Sequence, residues 1–138
     1  MSKEILHKKM IDACNDCIKT CDECRIMCHQ ILIDMDKSEC VRDCKSSCQL
    51  RKESIAACKE CIAQCKAYIE ITTEESEIST MEECIFECQE CIVCSEKCNK
   101  ECCTQCSQVL GQQCIISIEE CIKGCDKCII ACKVCCKV

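Results

Sequence analysis

The sequence predicts an all-α protein, an antiparallel up-down-up-down four-helix bundle with a cysteine-lined core. Three observations predict it. Between Cys14 and Cys28 the chain reads CNDCIKTCDECRIMC, and its five cysteines are separated by steps of 3, 4, 3 and 4 residues. That is the spacing of the inner stripe of a bundle helix. Proline is absent and glycine occurs only twice in 138 residues, so helices can run long. Polar breaks divide the chain into four segments that each carry such a stripe.

The first helix is expected over about residues 3–34. Its stripe carries Cys14, Cys17, Cys21, Cys24 and Cys28, extended by His7 and Met10 before them and by Ile31 and Met35 after. A break follows at DMDKSE, where Asp36 with Glu39 makes a capping-box pattern. The second helix, about 37–69, carries Cys40, Cys44, Cys48, Cys58, Cys61 and Cys65. Thiols are missing from its middle. There Ile55 is expected to supply ordinary core and Arg51 to snorkel outward.

The longest break is EITTEESEIST. Ser79 with Glu82 caps a third helix over about 80–110, with Thr72 and Glu75 as a rival start. This helix carries Met81, Cys84, Cys88, Cys91, Cys94, Cys98, Cys102, Cys103 and Cys106. Gly111 fits the position that ends a helix. The fourth helix, about 113–136, carries Cys114, Cys121, Cys125, Cys128, Cys132, Cys135 and Cys136, with Ser117 and Glu120 as a second start signal. Gly124 inside it marks a close helix approach.

A short repeat links the four. C-I-x-x-C begins at Cys17, Cys61, Cys84 and Cys121, so every helix carries it. The isoleucine after each cysteine sits beside the inner stripe and is expected to seal a helix–helix seam. The whole chain, 1–138, reads as one domain.

Composition narrows the function. Cysteine supplies 26 of the 138 residues, with four Leu, one Phe, one Tyr and no Trp. Such a core cannot be built unless cysteine fills it, and free cysteine does pack as a small hydrophobe. A secreted disulfide scaffold is disfavoured. Residues three or four apart on a helix have Cβ atoms about 5–6 Å apart, whereas a disulfide wants about 3.5–4.5 Å. The N-terminal MSKEILHKKM has no apolar signal region, so a reducing, cytoplasmic location is expected. A net charge of −6 without a basic stripe argues against nucleic acid, and no apolar run reaches the length of a membrane span.

Stacked thiols call for soft metals: Cu(I), Zn(II) or iron–sulfur clusters. Charge separates them. One Cu(I) cancels one thiolate, so a tube of thiolates can fill and end neutral. Zn(II) in a four-thiolate site leaves a net −2, which is hard to repeat through a narrow core. Iron–sulfur clusters usually sit on irregular backbone. The candidate ligands for multiple Cu(I) ions are therefore all 26 cysteines, with His7 and Met10 at one end. Cys103 and Cys136 each follow another cysteine, so one of each pair should leave the inner line.

With these residues in view, the chain resembles the bacterial copper storage proteins, a family of cysteine-lined four-helix bundles. The C-x2-C-x3-C-x2-C-x3-C run of Cys14–Cys28 is similar to that family's first-helix pattern. The resemblance implies Cu(I) held along the bundle axis, often in thiolate clusters, and commonly a tetramer of bundles. Without an export signal the chain looks like the cytosolic branch. Members of that branch often place several histidines near the turns that join the first two and the last two helices. Here that end has His29, Met27 and Met35, and the opposite end has His7, Met10 and Met81.

The expected function is high-capacity Cu(I) storage without catalysis, since no nucleophile–base pair or Gly-rich phosphate loop is visible. A copper-delivery protein or a small thiol would be the partner. The competing reading is broader detoxification of Zn(II) or Cd(II). A thiol redox enzyme would instead need one exposed, low-pKa CxxC.

Overall fold

The structure is a computed structural model. It describes residues 2–33, 40–105 and 112–138, and their side chains except those of 40–46, 102–105 and 112. Four helices follow one another: α1 (Lys3–Ile33), α2 (Cys40–Ile69), α3 (Glu75–Gln105) and α4 (Gln112–Cys135). No strand occurs among the described residues. At 1.5 Å per residue a helix of thirty residues is about 45 Å long, so the bundle has a long, narrow interior.

Each helix packs against two others, α1 on α2 and α4, α3 on α2 and α4. Rising numbers on one helix meet falling numbers on its neighbour. Cys14 faces Cys61, Cys17 faces Cys58 and Cys21 faces Ser54. Likewise Cys84 faces Cys132, Cys88 faces Cys128 and Ser95 faces Cys121. This is the order that the up-down-up-down arrangement requires.

The core is the thiol stripe itself. Cys14, Cys17, Cys21, Cys24 and Cys28 are all fully buried, flanked by Met10 and Ile31. The repeat isoleucines behave as seam residues: Ile122 is buried, and Ile18, Ile62 and Ile85 pack half-buried against the core.

One expectation about the helices is corrected, and one open choice between two starts is decided. α3 begins at Glu75 rather than after Ser79. Thr72 braces this start from just ahead of the helix, its Oγ1 accepting from the Glu74 amide at 3.3 Å. The early start is tied down by Glu77, which accepts from Thr72 Oγ1 at 2.5 Å and from the Tyr68 hydroxyl at 3.1 Å. Both capping patterns were present, and these tertiary bonds choose the first. α4 already runs from Gln112, so Ser117 is interior and its hydroxyl donates to Glu101 on α3.

Gly124 does lie at a close approach. A Cβ there would stand 3.4 Å from Cys94 Cβ and 3.5 Å from Cys91 Cα. The Asp36–Glu39 cap, Met35, Cys106 and the Gly111 terminator fall outside the described residues.

Candidate metal centre

Twenty cysteines among the described residues are free thiols. All are buried except Cys94 and Cys136, which are half-buried. Helical register explains this. α1 presents a stripe at steps of three and four, α2 answers with Cys58, Cys61 and Cys65, α3 with Cys84, Cys88 and Cys91, and α4 with Cys121, Cys125, Cys128 and Cys132.

Sulfurs from different helices meet at near-contact distance. Cys17 Sγ lies 3.5 Å from both Cys58 Sγ and Cys128 Sγ, and Cys14 Sγ lies 3.5 Å from Cys61 Sγ. Cys88 and Cys128 are separated by 3.6 Å, and Cys61 and Cys84 by 3.7 Å.

Four sets of four thiols have all their sulfurs within 4.8 Å of one another: Cys14, Cys61, Cys65 and Cys84; Cys17, Cys61, Cys88 and Cys132; Cys17, Cys58, Cys88 and Cys128; and Cys21, Cys58, Cys91 and Cys128. Each shares members with the next. Cys61 joins the first to the second, Cys17 and Cys88 join the second to the third, and Cys58 and Cys128 join the third to the fourth. The sets therefore form one column with bridging positions rather than separate sites. A fifth set, Cys24, Cys28 and Cys121, follows with three thiols. No histidine or carboxylate belongs to any of these sets.

Burial and mutual hydrogen bonding hold protons on several of these thiols. Hydrogen bonds to Cys121 and Cys24, then burial, push the Cys28 thiol up. Bonds to Cys121 and Cys21 do the same for Cys125, those to Cys135 and Cys14 for Cys65, and those to Cys128 and Cys14 for Cys132, with burial adding in each case. Others go the other way: bonds from neighbouring thiols lower Cys17, Cys21, Cys61, Cys84 and Cys121, and bonds from Cys125 and Cys128 bring Cys91 down to about 5. A thiol must deprotonate to bind a metal, so this stored set of protons is what a metal ion would displace.

At one end of the column the ligands change character. Met10 Sδ accepts from Cys14 Sγ at 3.8 Å, and Met81 Sδ accepts from Cys135 Sγ at 3.9 Å. His7 is half-buried beside them in sequence, its ring 5.6 Å from that of Tyr68. Cys136 is turned away from the axis, as its place after Cys135 predicts, and meets Asn15 Oδ1 at 3.4 Å. His29, near the other end of α1, is exposed.

Toward the far end of the described column polar side chains join the sulfurs. Arg51 does not snorkel outward. It is fully buried, and so are Ser47, Ser54, Ser95 and Ser117. The α2 inner line runs through Arg51 and Ser54, while Ile55 sits half-buried to the side, so both expectations for this stretch are corrected. The guanidinium donates from Nε to Asn99 Oδ1 at 2.5 Å, from Nη2 to Ser47 Oγ at 2.8 Å and from Nη1 to Cys28 Sγ at 3.4 Å. These bonds explain why it faces inward: the polar layer satisfies its donors, which a thiol-only layer would not.

The remaining predicted ligands divide as follows. Cys98 and Cys114 are buried but belong to none of the five sets. Cys48 is disulfide-bonded and offers no free thiol. The side chains of Cys40, Cys44, Cys102 and Cys103, like Cys106, lie outside the described residues. Arg51, Asn99 and the buried serines were the residues that sequence reasoning missed. Their signal was register, since 47, 51, 54 and 58 continue the α2 stripe at steps of four, three and four.

Comparison with known proteins returned no match: no family model, no curated protein and no solved structure is similar enough to stand as a relative. Among the described residues no helix is long and apolar enough to cross a membrane. What is shown is a cysteine-rich four-helix protein whose interior thiols are grouped so that they could hold metal ions.

Proposed function

We propose that the chain is a high-capacity Cu(I) store, with Cu(I) as its cargo and no catalytic step. The observation that carries this reading is the sharing of Cys17, Cys58, Cys61, Cys88 and Cys128 between successive sets. Cu(I) accepts two or three sulfurs and suits soft thiolates. A thiolate bridging two monovalent ions lets the column fill at about one ion per sulfur and end neutral, which a buried interior demands. Repeating a divalent ion in four-thiolate sets would accumulate two negative charges per site.

The resemblance to bacterial copper storage proteins rests on the same thiol stripe and supports the same reading. A cytoplasmic location, delivery by a copper-carrying protein or small thiol, and assembly of several bundles belong to this proposal. The Met10, Met81 and His7 end is the proposed entry, because thioether and imidazole ligands there could pass an ion to Cys14 and Cys135.

Anaerobic Cu(I) titration of the reduced protein against a competing chelator tests the reading. Roughly 20 ions are expected on the one-per-thiolate rule. Saturation at four or five would mean a few discrete sites and would end the storage reading. Preferential retention of Zn(II) or Cd(II) from a mixture would favour detoxification instead.

A further inference from the structure

We propose that Cys24, Cys28 and Cys121, closed by Arg51, form a discrete site for one divalent soft cation of the Zn(II) class, distinct from the rest of the column. This rests on the thiols binding metal but not on their binding Cu(I).

Arg51 is the one buried charged residue among the described residues. Its charge cannot be shed, because guanidinium does not deprotonate in proteins. A buried cation needs a compensating anion nearby. Among the described residues its partners are Asn99, Ser47 and the sulfurs of Cys28 and Cys48, with no carboxylate among them. Nη1 meets Cys28 Sγ at 3.4 Å, and Cys28 belongs to the three-thiol set.

Counting charge sets this group apart. Three thiolates with one divalent ion carry −1, and Arg51 brings the layer to zero. Binding M(II) to the three thiols releases three protons and leaves that neutral assembly. A four-thiol set elsewhere in the column, with the same ion, is left at −2 without a buried cation beside it. The three-sulfur set also leaves room in a four-coordinate shell, which zinc prefers. Ser95 Oγ, 3.7 Å from Cys121 Sγ, is a polar neighbour on that side. Arginine hydrogen-bonded to a ligand sulfur would further orient it, as outer-shell partners of metal sites do.

The test uses Co(II), a spectroscopic stand-in for Zn(II), added anaerobically to the reduced, copper-free full chain. One ion is expected to bind ahead of the others with intense sulfur-to-cobalt absorption, and one equivalent of Zn(II) should displace it. Arg51→Met should weaken this first ion at least tenfold. Arg51→Lys, which keeps the charge, should retain most of it. Cys28→Ser should alter the spectrum, and Cys84→Ser, in a four-thiol set, should not. Circular dichroism confirms that each variant is folded. Should Arg51→Met misfold, the Cys28→Ser and Cys84→Ser pair decides alone. The inference is overturned if folded Arg51→Met binds the first Co(II) as tightly as the parent, or if Cys84→Ser abolishes that ion while Cys28→Ser spares it. A low Cu(I) capacity together with an intact first Co(II) site would sink the storage reading and leave this one standing.

Discussion

From Cys14 to Cys24 the interior takes sulfur from every helix; one turn further along α1, at Cys28, it meets a guanidinium. The two regions share one backbone register. In the first, Cys17 touches Cys58 and Cys128 at 3.5 Å, and sulfur meets sulfur layer after layer. In the second, Arg51 is held by Asn99, Ser47 and Cys28. Register decides which positions face inward, and side-chain chemistry decides what that position can hold. Sulfur layers can share a monovalent ion between neighbours. The polar layer instead satisfies its own hydrogen bonds, and among the described residues the overlapping four-thiol sets do not reach it.

The largest expected difference comes from breaking the shared layer. Cys17→Ser with Cys128→Ser removes members of three overlapping sets. Cu(I) capacity should fall by about two ions or more on the one-per-thiolate rule, and the remaining ions should dissociate faster. Cys94→Ser with Cys136→Ser, both half-buried and outside every set, should change capacity far less. Equal losses in the two variants, counted by metal analysis, would erase the distinction between column and periphery.

Acidity separates the metal-free and loaded states. Cys28, Cys65, Cys125 and Cys132 are raised above their ordinary value of 9.0. Groups raised on folding contribute stability that is complete below the unfolded value and is lost as pH rises past it. Cys14, Cys58, Cys88, Cys94, Cys128 and Cys136 are raised as well, and together these ten outnumber the six that are lowered, Cys17, Cys21, Cys61, Cys84, Cys91 and Cys121, so the metal-free protein should lose stability above pH 9.0. The loaded protein has thiolates already and should instead lose metal as pH falls. Thermal melts of both forms across pH should show opposite slopes.

A rate comparison addresses the two ends. His7→Ala with Met10→Leu and Met81→Leu keeps core volume nearly constant but removes the imidazole and thioethers beside Cys14 and Cys135. Stopped-flow Cu(I) uptake should slow severalfold while final loading stays near the parent value. His29→Ala, at the exposed far end of α1, should load at the parent rate; the reverse pattern would move the entry to that end.

Smaller effects sharpen the boundary. Ser54 Oγ lies 3.2 Å from Cys21 Sγ, so Ser54→Cys extends sulfur by one position and should add about one Cu(I). Gly124→Ala gains helix propensity of about 1 kcal/mol at most. Its new methyl meets ordinary contacts at 3.4 and 3.5 Å, so the melting temperature should hold or rise slightly.

Much of this was legible in the sequence, for a physical reason. Cysteine at steps of three and four names both the helix and its inner face, so four helices and a thiol interior follow from spacing alone. Arg51 was misread because a lone arginine on an apolar stripe ordinarily sends its head to water. What holds it inside is Asn99, 48 residues away, a contact that no local pattern contains. The start of α3 failed for a similar reason, since Thr72 and Ser79 are equal as caps until Tyr68 and Glu77 meet in space.

The central claim is that interior thiols are shared between neighbouring ions. Copper K-edge X-ray absorption on the fully loaded protein tests it most directly. A shared column predicts a first shell dominated by sulfur together with clear copper–copper scattering from ions bridged by one thiolate. Sulfur-bound copper without copper–copper scattering, or a shell dominated by nitrogen and oxygen, would contradict it.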